Sequence, residues 1–112
     1  MKTPRLNRKL VLEARQKVED GAGGYVATWQ PLGTLWAQVT ARTGRETVQS
    51  DAPVSAVNYK IIVRGAPFGS GERPGPEQRF RDGARIFVIR AVAEDDANGR
   101  YLTCFATEEV AV

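Results

Sequence analysis

The chain has 112 residues, a formal net charge of +3 and a hydrophobic fraction of 42%. This length fits a single domain with a modest core, and the charge is too mild to identify a partner. Because there is no histidine and only one cysteine, Cys104, the composition excludes an internal disulfide, the Ser-His-Asp triad, Cys–His nucleophile pairs and most zinc sites.

The first part of the chain predicts strands joined by turns. Alternation of apolar and polar residues over 6–14 indicates a half-buried strand, which we expect to lie at a sheet edge. Residues 19–24 are rich in glycine and acidic residues and predict a turn. A short strand over 25–29 is followed by Pro31 and Gly33, which interrupt it.

A second strand is predicted over residues 34–42, with Leu35, Ala37 and Val39 on one face. Trp36 lies on the opposite face. A bulky aromatic there indicates that both faces are covered, either by the barrel wall or by a neighbouring subunit. Residues 43–56 are polar and contain few large apolar groups, so we predict a long exposed loop, a kind of segment that is often functional.

The second half of the chain continues the same pattern. Residues 57–64 predict a strand rich in Tyr, Ile and Val, and 65–75 predict a mobile loop rich in glycine and proline. Asp82-Gly83 is typical of a tight hairpin. Strands are predicted over 85–92 and 101–107, with a turn at 94–99 between them.

Five or six short strands with no convincing helix predict an all-β fold, a sandwich or a small β-barrel with long loops and an extended N-terminal arm. A barrel has the merit of removing exposed strand edges. We treat residues 1–112 as one domain, with a flexible basic arm over 1–9. The expected core is Leu10, Leu12, Leu35, Val39, Ile61, Val63, Ile86, Val88, Leu102 and Cys104.

No site for chemistry is predicted. The carboxylate pairs at 19–20, 95–96 and 108–109 fall in turns or near the chain end, where acidic residues usually face solvent. Cys104 lies within a strand and is expected to be a buried, inert thiol. We therefore expect no enzymatic activity, no cofactor and no metal. No apolar run approaches the length of a membrane span, and no signal peptide is visible, so we expect a cytoplasmic origin and no membrane association.

Charge is distributed unevenly along the chain. Residues 1–17 carry six basic groups and one acidic group, whereas residues 91–112 carry one basic group and five acidic groups. This distribution is compatible with solvated ends, or with a basic arm that meets an acidic face of another subunit. Six arginines with interspersed phenylalanines over 64–90 allow an alternative, an oligonucleotide-binding-type barrel that binds single-stranded nucleic acid. They are Arg64, Arg73, Arg79, Arg81, Arg85 and Arg90.

The order of several short motifs resembles the phage head–tail joining family, also called head-closure or stopper proteins, which includes relatives in gene transfer agents. The similarity runs from about Leu10 to Glu108. The motifs are Trp36-Ala37-Gln38-Val39, Thr43-Gly44-Arg45-Glu46, Tyr59 to Arg64, Pro76 to Phe80, and Asp82 to Ile89.

The resemblance implies a small β-barrel that forms a ring in the neck of a virion or phage-like particle, assembled in the bacterial cytoplasm. Six copies are favoured and twelve are possible. Portal and adaptor rings would lie above it and a tail terminator or tail proteins below it. Double-stranded DNA would pass through the ring without sequence-specific contacts.

Two groups of site residues follow. Residues 43–56 would form a channel loop beside the DNA; its members are Thr43, Gly44, Arg45, Glu46, Gln49, Ser50 and Asp51. The other group would contact neighbouring subunits or rings; its members are Lys2, Arg5, Arg8, Lys9, Trp36, Glu94, Asp95 and Asp96.

Overall fold

A computed structural model describes residues 3–42 and 57–109 of the chain. These residues form six antiparallel strands, which confirms the predicted all-β class. The strands are β1 (Arg8–Glu19), β2 (Tyr25–Ala41), β3 (Val57–Arg64), β4 (Arg79–Asp82), β5 (Arg85–Glu94) and β6 (Tyr101–Glu109).

The sheet closes on itself in the order β1-β2-β3-β6-β5-β4. Closure depends on a short pairing of β1 with β4, in which Val11, Leu12 and Glu13 lie opposite Arg81, Phe80 and Arg79. The prediction that β1 is an edge strand is therefore wrong where the barrel closes, because β1 has partners on both sides there. Closure removes free strand edges from the barrel wall itself.

Inward-facing side chains fill the barrel, and they agree in part with the predicted core. Leu10, Leu12, Ile61, Val63, Leu102 and Cys104 are fully buried as expected, while Leu35 and Val39 pack against them half-buried. The two largest buried side chains, Phe80 and Phe87, were not in the predicted set. Ala37, Ile89 and Ala106 complete this buried cluster.

In β5 the predicted inward face is wrong. Phe87 and Ile89 are buried, whereas Ile86 and Val88 are only half-buried on the opposite face. Arg90 is an extra residue, since Ile89 pairs with Ala106 while Ala91 pairs with the next residue, Phe105. This β-bulge shifts the alternation by one residue. Val92 after the bulge therefore packs against the core, although the residues of the same parity before it do not.

β2 is one continuous strand of 17 residues, where the sequence predicted two. Pro31 and Gly33, the predicted interruption, flank a bulge: Leu12 pairs with Gly33 and Glu13 with Pro31, which leaves Leu32 unpaired. Proline is tolerated at bulges because no ladder hydrogen bond is needed from it. The predicted break is therefore a local irregularity inside a longer strand.

Beyond the bulge, β1 and β2 continue together as a two-stranded ribbon that we define as residues 14–30. Its strands pair from Ala14 opposite Gln30 to Glu19 opposite Tyr25, and within residues 3–42 and 57–109 neither segment has a second strand partner. The molecule is correspondingly elongated, with extents of 54 × 38 × 23 Å. Sequence patterns predicted the turn at 19–24 and the strand over 25–29, but neither the extension of β1 beyond Ala14 nor the projection of the ribbon from the barrel.

The antiparallel topology gives the barrel two distinct ends. At the loop end, β1 begins, β2 ends and β3 begins, and the β4–β5 turn connects its strands. At the ribbon end lie the ribbon, the β3–β4 connection and the β5–β6 turn. Gly83 takes the first of the two central positions of the β4–β5 turn with φ +60°, a conformation that favours glycine. The predicted hairpin at Asp82-Gly83 is thus confirmed.

The connection over 65–78 consists of hydrogen-bonded turns rather than an unstructured loop. Ser70 N–H donates to the Pro67 carbonyl, and Arg73 N–H donates to the Ser70 carbonyl. The Arg73 guanidinium binds the Ala66 carbonyl at 2.7 Å. The connection is a loop as predicted, and the mobility expected for 65–75 stays a prediction.

Candidate interaction surfaces

The tip of the ribbon is built around Asp20. Its Oδ1 accepts hydrogen bonds from the backbone N–H groups of Ala22 at 2.8 Å and Gly24 at 3.0 Å. These bonds favour the carboxylate and lower the pKa of Asp20. They also close the turn, since Asp20 N–H donates to the Gly24 carbonyl. The tip is therefore a defined structure although it lies far from the core.

The two faces of the ribbon differ in chemistry. One face carries Ala14, Gln16 and Val18 of β1 together with the β2 residues opposite them, and none of these side chains is charged. The other face carries charged and aromatic groups, listed from base to tip as Arg15 and Trp29, Lys17 and Ala27, and Glu19 and Tyr25. Tyr25 is 66% exposed, and Val18 and Val26 are also exposed. Exposed aromatic and aliphatic groups at a protruding tip are typical of an interaction surface.

A groove of about 590 Å³ lies on the outer wall near the ribbon end. It is lined by Leu6, Thr34, Leu35, Trp36, Arg64, Gly65, Ala66 and Glu72. Trp36 is 55% exposed, an unusual degree of exposure for tryptophan in the middle of a strand. The predicted outward position of Trp36 is confirmed, and the described residues cover it only in part.

The basic residues of the predicted arm are divided between the sheet and the segment before it. β1 begins at Arg8, so Arg8 and Lys9 belong to the barrel rather than to a flexible arm. Arg8 forms an ion pair with Asp82, and Lys9 lies opposite Trp36. Arg5 precedes the strand, and its backbone N–H donates to Gln38 Oε1 at 2.7 Å. Lys2 lies outside the described residues. Contact of these residues with other subunits stays a prediction.

Two side chains of the acidic turn, residues 94–96, accept hydrogen bonds from within the chain. Asp95 accepts a hydrogen bond from the Thr103 hydroxyl at 2.7 Å, and Asp96 accepts one from the Arg100 backbone N–H at 2.9 Å. Glu94, at the end of β5, is exposed. The turn lies at the ribbon end, whereas β1 begins at the loop end. The topology therefore places the two oppositely charged segments at opposite ends of the barrel, and their role in assembly stays a prediction.

The predicted channel loop, residues 43–56, falls outside the described residues. The strands that it joins, β2 and β3, respectively end and begin at the loop end of the barrel. No contact is assigned to Thr43, Gly44, Arg45, Glu46, Gln49, Ser50 or Asp51 from the structure.

The arginines of the second half do not form one basic surface. Arg79 and Arg81 both bind the buried carboxylate of Glu13, with Nε–O distances of 2.7 and 2.9 Å. Arg79 also stacks on Trp29, with 4.0 Å between its Cζ and the ring centroid. Burial is the largest single influence on the pKa of Glu13 and raises it, but the bonds and charges of the two guanidinium groups together hold that pKa below its usual value.

Another ion pair, between Arg85 and Glu108, lies at the loop end of the barrel. Arg85 Nε lies 2.8 Å from Glu108 Oε2, and its Nη2 contacts Tyr59 Oη at 3.2 Å. Tyr59 in turn packs edge-on against Phe87, with 5.1 Å between ring centroids. Hydrogen bonding to Arg85 lowers the pKa of Glu108. Three of the six arginines are thus committed to ion pairs within the chain.

Sequence reasoning missed the ribbon tip and the Glu13 cluster. Glu13 was counted only as a charge of the N-terminal region, because its partners lie more than sixty residues away. Tyr25 and Val26 had been placed in an ordinary short strand. The one available signal was the high proportion of aromatic and β-branched residues beside a glycine-rich turn, which does not distinguish a projecting hairpin from a packed one.

The described part of the chain contains no helix long and apolar enough to cross a membrane. Nor do the described residues bring three or more Cys, Asp or Glu side chains together as a metal site would require. Cys104 is buried as predicted.

Comparison with known proteins identifies the family. The family described as phage head completion protein matches residues 1–109. A chain from a structure of the virion of a native gene transfer agent particle is 55% identical, with a TM-score of 0.83, over 98% of this chain and 100% of that chain. Protein SF1141 from Shigella flexneri 2a shares the fold, with a TM-score of 0.73 at 21% identity over the full length of both chains. No curated protein matches the sequence.

A family match over nearly the whole chain agrees with the observed barrel and with the resemblance seen in the sequence motifs. The chain therefore belongs to the phage head completion protein family, and its role is a structural one in a phage or gene transfer agent particle.

Proposed function

We propose that this chain is a stopper, the subunit of a ring in the head–tail connector of a tailed phage or gene transfer agent. The ring joins the portal and adaptor on the head side to tail proteins on the other side and surrounds the DNA channel. Six copies per ring are favoured and twelve are possible. The proposal is supported by the head completion family and by the 55% identical chain of a gene transfer agent virion.

The structural observation that carries the proposal is a closed barrel with a projecting ribbon. The strands of the barrel wall are paired in a closed order, so little of the described sheet is open to extension by another copy. The remaining contact elements are the ribbon, the outer wall around Trp36 and the segments at the two ends. Subunits with such distinct contact elements are suited to head-to-tail association, which closes into rings.

In this proposal residues 43–56 face the DNA and the acidic turn over 94–96 contacts a neighbouring subunit or ring. A ring around DNA requires no base-specific groups, since a threading duplex experiences only the overall field of the channel. The role is mechanical and requires neither a cofactor nor a reaction. Charge at the two ends of the barrel would orient neighbouring rings relative to one another.

The observed arginine contacts argue against the alternative of a single-strand-binding barrel. Such proteins need a continuous basic groove with aromatic side chains available for stacking. Here Arg79, Arg81 and Arg85 are held by carboxylates, and Phe80 and Phe87 are buried in the core. We therefore expect weak binding of single-stranded DNA by the isolated subunit.

The decisive experiment combines the purified chain with its portal and adaptor neighbours and measures mass per particle by imaging and mass photometry. We expect one additional ring beneath the adaptor, whose added mass gives the copy number. A chain that ignores the portal complex, yet binds single-stranded DNA with an affinity that falls steeply with salt, would establish the alternative instead.

A further inference from the structure

Apart from the stacking of Trp29 on Arg79 near its base, the ribbon has no strand partner outside itself among the described residues. A two-stranded hairpin alone in water is marginally stable at best. This one keeps its exposed aromatic and aliphatic groups at the far end, where Tyr25, Val26 and Val18 lie. Such an element is stabilised when another surface covers it, so the ribbon has the character of a docking element.

The ribbon cannot reach the groove of its own chain. Trp36 in the groove and Tyr25 at the tip are eleven residues apart in one continuous strand. At about 3.3 Å per residue, this places them roughly 36 Å apart. A ribbon tip that occupies such a groove must therefore come from a different molecule.

The charged face of the ribbon complements the groove. Tyr25 and Glu19 are cross-strand partners, and Lys17 lies two residues before Glu19 on the same face. The groove presents Trp36 with a cation, Arg64, and an anion, Glu72. None of the four charged groups makes an ion pair with another described residue. Each surface thus carries one aromatic group, one cation and one anion, so each charge on the ribbon has an opposite charge available in the groove.

We propose that the ribbon of one copy docks in the groove of the next copy around the ring. Tyr25 packs against Trp36, Glu19 pairs with Arg64, and Lys17 pairs with Glu72. Tyrosine, tryptophan and arginine are the residues that most often dominate binding energy at interfaces. This inference rests on the proposed ring, and it names the surfaces through which the ring closes.

The contact uses different surfaces on its two sides, so it is heterologous. Each copy offers one ribbon and one groove, and a chain of such contacts either closes into a ring or grows without limit. A reciprocal exchange between two copies would stop at a dimer, whereas the proposed ring gives larger oligomers. The size of the covalently linked oligomers therefore tests whether ribbon and groove pair around a ring.

The test is disulfide cross-linking of the full chain with Tyr25→Cys and Trp36→Cys combined, in the presence of portal and adaptor. Both positions are exposed, so the fold should tolerate the changes. The natural Cys104 is buried and does not compete. Mild oxidation should give a ladder of covalent oligomers that ends at the copy number of the ring. Disulfides form only between Cα atoms within about 7 Å, so the two positions of one chain cannot bridge.

A matched control combines Tyr25→Cys with Arg90→Cys, since Arg90 is exposed on β5, which lies opposite β2 in the barrel order. It should give no ladder. Absence of the ladder from a Tyr25–Trp36 variant that still forms rings overturns the inference; because the two substitutions also remove the proposed aromatic contact, a variant that forms no ring is judged by the charge reversals below. Imaging of the same sample then tells whether a ring is still present, so that failure of the inference is distinguished from failure of the proposed function.

Charge reversal supplies a second test. Glu19→Arg and Arg64→Glu should each weaken ring formation at least about tenfold, because like charges then face each other. A mixture of the two variants should restore it, since every ribbon can then find a groove of opposite charge in an alternating ring. If each variant alone assembles as well as the unmodified chain, the proposed pairing is wrong.

Discussion

At the scale of single residues, the most unusual group is Glu13. It is only 5% exposed, yet it is charged and lies on the outer face of the barrel beneath two arginines. A buried carboxylate is tolerated only when its charge and its hydrogen-bonding capacity are both satisfied. Here each oxygen accepts one guanidinium N–H, and the pair ties β1 to β4 where the barrel closes.

Replacing Glu13 with glutamine tests this role. The variant Glu13→Gln keeps the shape but leaves two guanidinium groups without a counter-charge, and we expect it to lower the free energy of unfolding by about 2 kcal/mol. Urea denaturation followed by tryptophan fluorescence measures the change. The exposed Glu109 offers a matched control, and Glu109→Gln should alter stability by less than about 0.5 kcal/mol.

The same cluster predicts a dependence on pH. Because the folded-state pKa of Glu13 is below its ordinary value of 4.5, its contribution is complete above that pH and is lost as the pH falls through the lower, folded value. The unfolding free energy of the unmodified chain should therefore decline below pH 4.5, and that of Glu13→Gln should decline less steeply. Parallel curves for the two proteins would contradict the assignment. Glu108 contributes in the same direction in both.

Cys104 gives a second prediction at this scale. Burial raises the pKa of its thiol to about 12, so almost no thiolate exists at neutral pH. We expect the folded chain to react with a thiol reagent such as Ellman's reagent at least about a hundredfold more slowly than the urea-unfolded chain, which should titrate as one thiol. Equal rates in the two states would show that the strand around Cys104 is open to solvent.

At the scale of elements, the bulges explain which parts of the fold were predictable. Alternation and composition located five of the six described strands, because half-buried strands have a period of two, but the four-residue strand β4 was not predicted. It failed for the inward face of β5, since the bulge at Arg90 changes the phase and nothing local in the sequence marks it. It likewise divided β2 at Pro31, where the chain makes a bulge and continues. A bulge depends on the partner strand, and pairing is not visible in a local window.

One close backbone approach fixes the ribbon end of the barrel. Gly65 ends the pairing of β3 with β6, and its N–H donates to the Arg100 carbonyl at 2.7 Å. A Cβ atom at this position would lie 2.2 Å from the Gly99 carbonyl oxygen. The two backbone segments, at residue 65 and at residues 99–100, can approach this closely only because residue 65 has no side chain.

The substitution Gly65→Ala should therefore lower the free energy of unfolding by about 2 kcal/mol, because backbone atoms have to separate to admit a methyl group. Thermal and urea denaturation measure it. Gly71→Ala is the matched control, since a Cβ atom there has no atom within 4 Å. It should leave stability unchanged within about 0.5 kcal/mol. A neutral effect at residue 65 would mean that the β3–β6 end has room to relax.

At the scale of the whole molecule, the barrel and the ribbon should be separable. Arg15 and Trp29 are cross-strand partners, so a two-residue Asn-Gly turn can replace residues 16–28. We expect the shortened chain to keep the barrel with an unfolding free energy within about 1 kcal/mol of the original, because among the described residues the removed strand segments pair only with each other. Circular dichroism and urea denaturation test this, and imaging with portal and adaptor should show that the ring is lost. Unfolding of the shortened chain would contradict the separation.

The candidate interaction surfaces were less predictable than the fold. Trp36 was recognised because a tryptophan opposite an apolar strand face is anomalous in the sequence itself. The groove around it was not, since it combines Leu6, Arg64 and Glu72 from distant parts of the chain. The family could be identified from motif order because those motifs follow the strands, whereas interaction surfaces depend on how the strands are arranged in space.

The length of the continuous strand β2 also determines the spacing between neighbouring copies in the proposed ring. When neighbours touch tip to groove, the spacing between successive copies equals the distance along β2 from Tyr25 to Trp36, roughly 36 Å. In a six-fold ring the spacing between neighbours equals their distance from the axis, so the contacts would lie on a circle of the same radius. Lengthening the ribbon by two residue pairs, which keeps Tyr25 on the same face, should widen the radius of that circle by about 7 Å. The diameter of the ring would then be set by the length of a hairpin rather than by the size of the barrel.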